Sequence, residues 1–293
     1  MQPISLVIPV YNEKRSCAKT VHRVRAVLAT LPEGSEALFV NDGSQDGSGE
    51  ALAGALREGE PLRLITHIRN KGYGASLKTG IRAASHAWIA IADADGTYPI
   101  EDLPKLLAAI DGGARMAVGA RPLGQQPTVR RPAKAFLNAY ASYLAGTRIP
   151  DLNSGLRVFH RDDALRLERL LPDGFSFTST ITMALASAGE PVVFLPIRYR
   201  ERVGKSKIRP VRDMGGFMLL VCRLAMAFNP LRIFGPASAA LLALGVVLLS
   251  ARFFMADKPF GLATTIILLV GGVQLLAVGL LADLINRRGG GGT

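Results

Sequence analysis

Trp88–Pro99 reads WIAIADADGTYP. Apolar residues run from Trp88 to Ala92 and stop at two carboxylates, Asp93 and Asp95, one residue apart and just before the turn signals Gly96 and Pro99. A short apolar run closed by a turn predicts a strand buried on both faces, as in parallel sheets. The plan recurs upstream. ISLVIPV (Ile4–Val10) is followed by Tyr11-Asn12-Glu13, and ALFVN (Ala37–Asn41) by Asp42-Gly43-Ser44. Strand patterns over Leu62–His67 and Met116–Gly119 alternate with helical ones over Glu13–Leu31, Ser48–Arg57, Gly74–Ser85 and Glu101–Ile110. Such alternation predicts an α/β fold, a mostly parallel sheet with helices on both faces. Ligands of these sheets bind beyond the carboxyl ends of the strands, where this sequence keeps its polar motifs.

The pattern loosens from Arg121 to Arg212, which holds DLNSGLRVF (Asp151–Phe159), a predicted helix over Phe177–Ala188 and a strand near Val192–Pro196. The chain of 293 residues carries 35 Lys+Arg against 23 Asp+Glu, a net charge of +12. That excess favours anionic partners: phosphorylated substrates, an anionic membrane face or nucleic acid. Nucleic acid fits poorly, because the basic residues gather beside apolar runs and no aromatic stripe is interleaved with them. Two cysteines, Cys17 and Cys222, stand far apart and are expected to be reduced, and four scattered histidines make no zinc spacing.

Mean hydropathy is +0.25, and the cause is local. Ile233–Ala251 is 19 residues without a charge, and Pro259–Ala282 is 24 more. Each is long enough to cross a hydrocarbon core of about 30 Å as a helix, and the short link Arg252–Lys258 predicts an antiparallel hairpin. Ile4–Val10 is too short and lacks the basic flank of a secretory leader. Arg202, Lys205, Lys207, Arg209, Arg212, Arg223 and Arg232 precede the first run, Arg287 and Arg288 follow the second, and the link holds only Arg252 and Lys258. This asymmetry predicts a multi-pass protein of the inner (plasma) membrane with both termini cytoplasmic. The expected organisation is a globular domain over 1–212, an interfacial amphipathic helix over 213–232, the hairpin over 233–288 and a flexible glycine tail over 289–293.

Paired carboxylates at a strand end suit a hard cation. Mg²⁺ and Mn²⁺ take few protein oxygens and complete their shell with water and phosphate, so Asp93 and Asp95 suit a metal–diphosphate unit better than a bare metal. The plainer alternative is a solvated turn that caps the helix at Glu101–Ile110. GYGASLKT (Gly72–Thr79) lacks both the glycine before Lys78 that a P-loop needs and the third glycine of a dinucleotide fingerprint. Its small residues predict a helix that starts tightly and packs close to the sheet.

VIPVYNE (Val7–Glu13), VNDGSQDG (Val40–Gly47) and DADGTYP (Asp93–Pro99), in this order and spacing, resemble the family 2 glycosyltransferases of the Rossmann-like GT-A fold. DLNSGLRVF and RVGKSKI (Arg202–Ile208) resemble the polyprenyl-phosphate branch of that family, which includes the dolichol-phosphate mannose synthases. The likeness runs from about Ile4 to Ile208, and some members of the branch carry a similar hairpin. It implies that Pro9, Tyr11 and Glu13 line a nucleoside pocket, that Asp42 meets the base, and that Asp93 contacts the ribose or the metal shell. Asp95 would ligate Mg²⁺ or Mn²⁺ under the diphosphate. Arg121, Arg131, Arg202, Lys205 and Lys207 match basic positions that hold donor and acceptor phosphates. Ser154 and Arg157 would belong to an acceptor-side wall, and Asp151 would be a base or an orienting group.

The implied partners are a nucleoside-diphosphate sugar, a polyprenyl phosphate and the bilayer, with homo-oligomerisation left open. Two departures bear on substrate. Thr97 stands where mannose synthases often place a metal-shell Gln, which weakens a mannose assignment. The Gln-x-x-Arg-Trp motif of processive synthases is absent, the only Trp being Trp88. The implied reaction is hexosyl transfer with inversion. The rivals are a family 2 transferase acting on a lipid or protein hydroxyl, and a membrane-anchored module that binds nucleotide sugar without turnover.

Overall fold

The computed structural model describes residues 2–122, 131–198, 222, 226, 229–254 and 261–289. Seven strands form one sheet: β1 (Ile4–Val10), β2 (Glu36–Asn41), β3 (Leu62–Thr66), β4 (Trp88–Ile91), β5 (Met116–Ala120), β6 (Arg157–His160) and β7 (Val192–Pro196), in the order β3-β2-β1-β4-β6-β5-β7. All neighbouring pairs are parallel except those of β6, which runs antiparallel to both β4 and β5. β1, β2 and β4 are the apolar runs that the sequence marked, and almost every residue in them is buried.

Alternation along β1 sorts the two layers. Ile4, Leu6, Ile8 and Val10 pack with Cys17, Val21 and Val24 of α1 (Lys14–Leu28), Leu52 of α2 (Ser48–Ala55) and Leu106 of α4 (Leu103–Asp111). Val7 faces the other way, with Leu77 and Ile81 of α3 (Tyr73–Ala83) and Phe177 and Ile181 of α7 (Phe177–Ser187). A smaller cluster joins Leu137, Ala141 and Leu144 of α5 (Arg131–Ala145) to Met183 of α7.

Three elements went unassigned in the sequence: α5, β6 and α6 (Arg161–Arg166). β6 has four residues and contains an arginine, too little pattern for a strand to be read. Its direction matters for the site. Arg157, its first residue, pairs with Ile91, the last of β4, so the loop Asp151–Gly155 is delivered to the carboxyl edge of the parallel strands.

α8 (Leu231–Phe254) and α9 (Leu262–Gly289) form the C-terminal pair. The stretches long and apolar enough to span a membrane are Leu231–Arg252 and Leu262–Asn286, slightly wider than the uncharged runs. Small residues bring the helices close: Ser238 Oγ donates to the Gly272 carbonyl at 2.7 Å, and a side chain at Gly245 or Gly272 would collide with Leu269 or Leu242. This is the packing that lipid-embedded helices use. The expected interfacial helix at 213–232 falls mostly outside the described residues.

Candidate active site

The strand order reverses between β1 and β4, with β2 and β3 on one side and β6, β5 and β7 on the other. Open α/β sheets bind ligands at such a switch point, beyond the carboxyl edge. Four polar segments converge there. Tyr11 and Glu13 leave β1 half-buried, after Pro9, which is buried within β1 opposite Val40. Asp42 follows β2, Asp93 and Asp95 follow β4, and the loop ahead of β6 brings Asp151 and Ser154.

The β1 and β2 turns are stitched together. Ser44 Oγ accepts from the Asn12 amide at 3.0 Å, Asn12 Oδ1 accepts from the Gln45 amide at 2.9 Å, and Asp46 Oδ2 accepts from the Lys14 amide at 3.0 Å. Asp42 is buried. It accepts the Lys71 amide on Oδ1 (2.9 Å) and the Gly72 amide on Oδ2 (2.8 Å), and its Oδ1 lies 2.8 Å from His67 Nδ1. The other His67 ring nitrogen lies 2.9 Å from Thr79 Oγ1. Much of the acceptor capacity of Asp42 thus shapes the turn into α3. Gly72, at φ 106°, and Gly74 abut the Pro172–Gly174 backbone so closely that a Cβ on either would overlap it. The small residues of GYGAS serve helix entry and close packing, as the sequence predicts.

The Asp93-Ala94-Asp95 segment is held from several sides. Thr20 Oγ1 of α1 donates to the Ala94 carbonyl at 2.9 Å, and Arg23 Nη2 donates to the Tyr98 carbonyl at 2.9 Å. Asp93 Oδ1 accepts the Tyr73 hydroxyl at 2.9 Å. Burial pushes the Tyr73 phenol well above its usual range, and the neighbouring Asp93 charge adds to the rise, so Tyr73 stays a proton donor. Asp95 Oδ1 accepts both the amide (3.0 Å) and the hydroxyl (2.7 Å) of Thr97. Thr97, the departure from the mannose-synthase pattern, therefore orients Asp95. Gly155 passes Asp93 so tightly that a Cβ there would sit 2.6 Å from Oδ2.

Asp151 is fully buried and forms a two-pronged pair with Arg121: Nε to Oδ2 at 2.7 Å and Nη2 to Oδ1 at 3.0 Å, with the Arg121 amide also donating to Oδ2 at 3.1 Å. The Arg121 guanidinium lies 5.7 Å from the centre of the Tyr98 ring. Ser154 is buried, its Oγ donating to the Gly119 carbonyl at 2.5 Å. Arg157 is fully buried too. Its Nη1 donates to the Thr178 carbonyl at 2.7 Å and to Thr182 Oγ1 at 2.6 Å, and its Nε to the Ser154 carbonyl at 3.1 Å. Burial pulls its guanidinium down to about 10, still charged at neutral pH. Arg157 thus acts as a fixed cation inside the wall that carries Ser154.

Arg131 opens α5, and nothing beyond its place in the helix is described. Arg202, Lys205 and Lys207 lie outside the described residues. Tyr73 and His67 were not picked out from the sequence as site residues, and Thr97 was noted only as a departure from the mannose-synthase pattern. The signal for Tyr73 and His67 was position, since the loop after β3 also opens at the carboxyl edge.

Hard carboxylate oxygens, half-buried and oriented by Tyr73 and Thr97, suit Mg²⁺ or Mn²⁺. Among the described residues no group of three or more His, Cys, Asp or Glu side chains is arranged to hold a metal, so the donor set fits an ion that completes its shell with water and phosphate. A cleft of about 240 Å³ lined by Arg25, Leu28, Pro32 and Leu62 opens at the opposite, amino-terminal edge, away from these carboxylates.

Residues 5–168 match the model of glycosyl transferase family 2, more than half of the chain and all of the switch-point motifs. The chain belongs to glycosyl transferase family 2. Residues 229–287 match the GtrB C-terminal hairpin. The undecaprenyl-phosphate 4-deoxy-4-formamido-L-arabinose transferase of Enterobacter sp. (strain 638) is 29% identical over 97% of this chain and 88% of its own length. The polyprenol monophosphomannose synthase of Mycolicibacterium smegmatis is 32% identical over 69% of this chain and 80% of its own. Glucosyl-3-phosphoglycerate synthase from Mycobacterium tuberculosis, crystallised with Mn²⁺, uridine diphosphate and phosphoglyceric acid, shares the fold with a TM-score of 0.57 at 16% identity, over 76% of this chain and 78% of its own. A second structure of that enzyme holds Mg²⁺ and uridine diphosphate. The protein is a glycosyltransferase with a GT-A-like, mostly parallel domain and a C-terminal apolar hairpin.

Proposed function

We propose that this glycosyltransferase moves a hexosyl unit, with inversion, from a nucleoside-diphosphate sugar to a polyprenyl phosphate at a membrane surface. The observation that carries the reading is the meeting of Tyr11, Glu13, Asp93 and Asp95 at the β1/β4 switch point, in a chain whose other end is an apolar hairpin. The names of the relatives, an undecaprenyl-phosphate sugar transferase and a polyprenol monophosphomannose synthase, support the acceptor class.

Pro9, Tyr11 and Glu13 flank the nucleoside, and Asp42 sets the turn beside it. Asp93, oriented by Tyr73, positions the ribose, and Asp95, oriented by Thr97, holds Mg²⁺ or Mn²⁺. When bound, such an ion offsets charge on the departing nucleoside diphosphate. Arg131, Arg202, Lys205 and Lys207 supply charge for the two phosphate groups. The attacking phosphate oxygen needs no general base, since a phosphate monoester with a second pKa of about 6 is already largely ionised at neutral pH. This suits Asp151, which is paired with Arg121 and buried, as an orienting group rather than a proton acceptor. One displacement inverts the anomeric centre, so an α-linked donor gives a β-linked lipid product.

The test uses the purified full chain, a panel of nucleotide sugars, Mg²⁺ or Mn²⁺, and either undecaprenyl phosphate or undecaprenol. Mass spectrometry should find one hexosyl unit added to the phosphate and none to the alcohol. Equal transfer to undecaprenol would favour the hydroxyl-acceptor reading. Nucleotide-sugar binding with no lipid product from any donor would favour the binding-module reading.

The basic flanks of the hairpin support an orientation with the glycosyltransferase domain and the chain after the second span in the cytoplasm. With both native cysteines replaced, a membrane-impermeant thiol reagent applied to intact cells should label a cysteine at position Ala256 and miss one at Gly289. The reverse pattern would overturn the orientation.

A further inference from the structure

Asp42 stands where the turn after β2 meets the loop after β3. Its amide donates to the Val10 carbonyl at 2.8 Å, which sets it abreast of Tyr11. Gly43 follows at φ 64°, so near the Arg69 backbone that a Cβ there would lie 2.6 Å from it. Turn and loop are therefore pressed together as one unit. A carboxylate offers about four acceptor positions. Protein donors fill both positions on Oδ1, through the Lys71 amide and His67 Nδ1, and one on Oδ2, through the Gly72 amide. The remaining position on Oδ2 meets no donor among the described residues. A ring N–H of a bound base would complete the set.

His67 fixes the direction of that carboxylate. Its amide donates to the Asn41 carbonyl at 2.9 Å, which extends the pairing of β2 with β3 by one residue. Its side chain is buried and held at both ring nitrogens. A carboxylate oxygen only accepts, so Nδ1 carries the proton and donates to Asp42. In the neutral ring Nε2 then accepts from the Thr79 hydroxyl at 2.9 Å. The chain Thr79–His67–Asp42 thus takes one member each from α3, the loop after β3 and the turn after β2. The Lys71 and Gly72 amides already close the turn into α3. What the imidazole adds is torsional: with both positions on Oδ1 occupied, the carboxylate cannot rotate, and the open position on Oδ2 keeps one direction.

We propose that His67 is a positioning residue for nucleobase selection: anchored by Thr79, it locks Asp42 so that the open acceptor of Oδ2 takes a ring N–H of the base. The inference rests on the reading that the nucleoside lies beside Tyr11 and Glu13 and that Asp42 meets its base. Uracil and guanine carry such an N–H next to a carbonyl. Cytosine and adenine present a bare ring nitrogen in its place, which would set one acceptor against another. A site built to pair with an N–H rejects the analogue that lacks it far more strongly than an apolar pocket does. The sugar donor is then a uridine or a guanosine diphosphate sugar.

The test is calorimetric titration of uridine, cytidine, guanosine and adenosine diphosphates into the full chain in detergent, with Mn²⁺ present. The parent should favour uridine over cytidine or guanosine over adenosine diphosphate. His67→Leu combined with Thr79→Val removes the lock and strands no hydroxyl. It should weaken the favoured diphosphate about ten-fold or more, the scale of one hydrogen bond to a charged group, and leave its disfavoured counterpart nearly unchanged. His67→Asn, whose amide still donates toward Asp42, should keep most of the parent's ratio. Thr79→Val alone, which frees one side of the ring, should lower the ratio by a smaller factor, and it decides the matter should the double variant not fold. A role confined to holding the fold would weaken all four diphosphates together, so an unchanged ratio overturns the inference. Asp42→Asn separates the two readings. If it collapses the ratio and loss of the lock does not, His67 is no positioning residue while the base contact stands. If it keeps the ratio, or the parent shows no preference in either pair, Asp42 does not meet the base and both readings fall. No arm depends on sugar transfer, so the acceptor assignment is judged separately.

Discussion

Asp95→Asn is expected to abolish sugar transfer. The change keeps side-chain shape and the acceptor for the Thr97 amide and hydroxyl, but removes the charge. Losing even a partner that orients a metal ligand costs about 10- to 100-fold in affinity or activity, so losing the ligand charge should cost at least about 100-fold. Asp93→Asn should behave differently. Asp93 accepts from Tyr73 and is assigned to the ribose side, so its loss should weaken nucleotide binding even with chelator present. Tyr73→Phe removes one hydrogen bond to a charged group, worth about 1.5–3 kcal/mol, and should show the Asp93 defect in milder form. Calorimetric titration of uridine and guanosine diphosphates into each variant, with and without Mn²⁺, separates these cases. If Asp95→Asn keeps the full metal-dependent gain in affinity, Asp93 and Asp95 are no more than a turn, and the site assignment fails.

Arg121→Ala is expected to lower stability sharply. The Arg121 side chain is 16% exposed and that of Asp151 fully buried, so the substitution strips a buried carboxylate of its two-pronged counter-ion. Breaking a buried pair from one side costs about 3–5 kcal/mol. At about 2–4 °C per kcal/mol for a domain of this size, the unfolding temperature in detergent should fall by roughly 6–20 °C. Arg121→Ala with Asp151→Ala should recover part of the loss, because the stranded charge is gone and the two effects are not additive. A role confined to substrate phosphate predicts the opposite: crippled turnover at an unchanged unfolding temperature. That outcome would return Arg121 to the phosphate-binding set.

These two expectations draw on different kinds of information. Asp93 and Asp95 were legible in the sequence because a strand buried on both faces leaves an uninterrupted apolar run, and carboxylates that end such a run must stand at the rim of the sheet. The same logic exposed Tyr11 and Glu13 after β1 and Asp42 after β2, and the two uncharged runs declared the hairpin by length alone. The pairing of Arg121 with Asp151 was hidden, although both residues had been noted. It exists because β6 runs antiparallel between β4 and β5 and so returns its preceding loop to the rim. The family resemblance also implied a base contact for Asp42 and an acceptor-side wall with Ser154 and Arg157, and the fold buries all three among protein partners. α5 went unassigned although its buried residues Leu137, Ala141 and Leu144 recur at helical spacing. Apolar runs, uncharged spans and strand-end motifs belong to contiguous residues and are determined by the sequence itself. Strand direction, ion pairing and the depth of a polar group depend on which distant segments meet, and only the tertiary structure decides them.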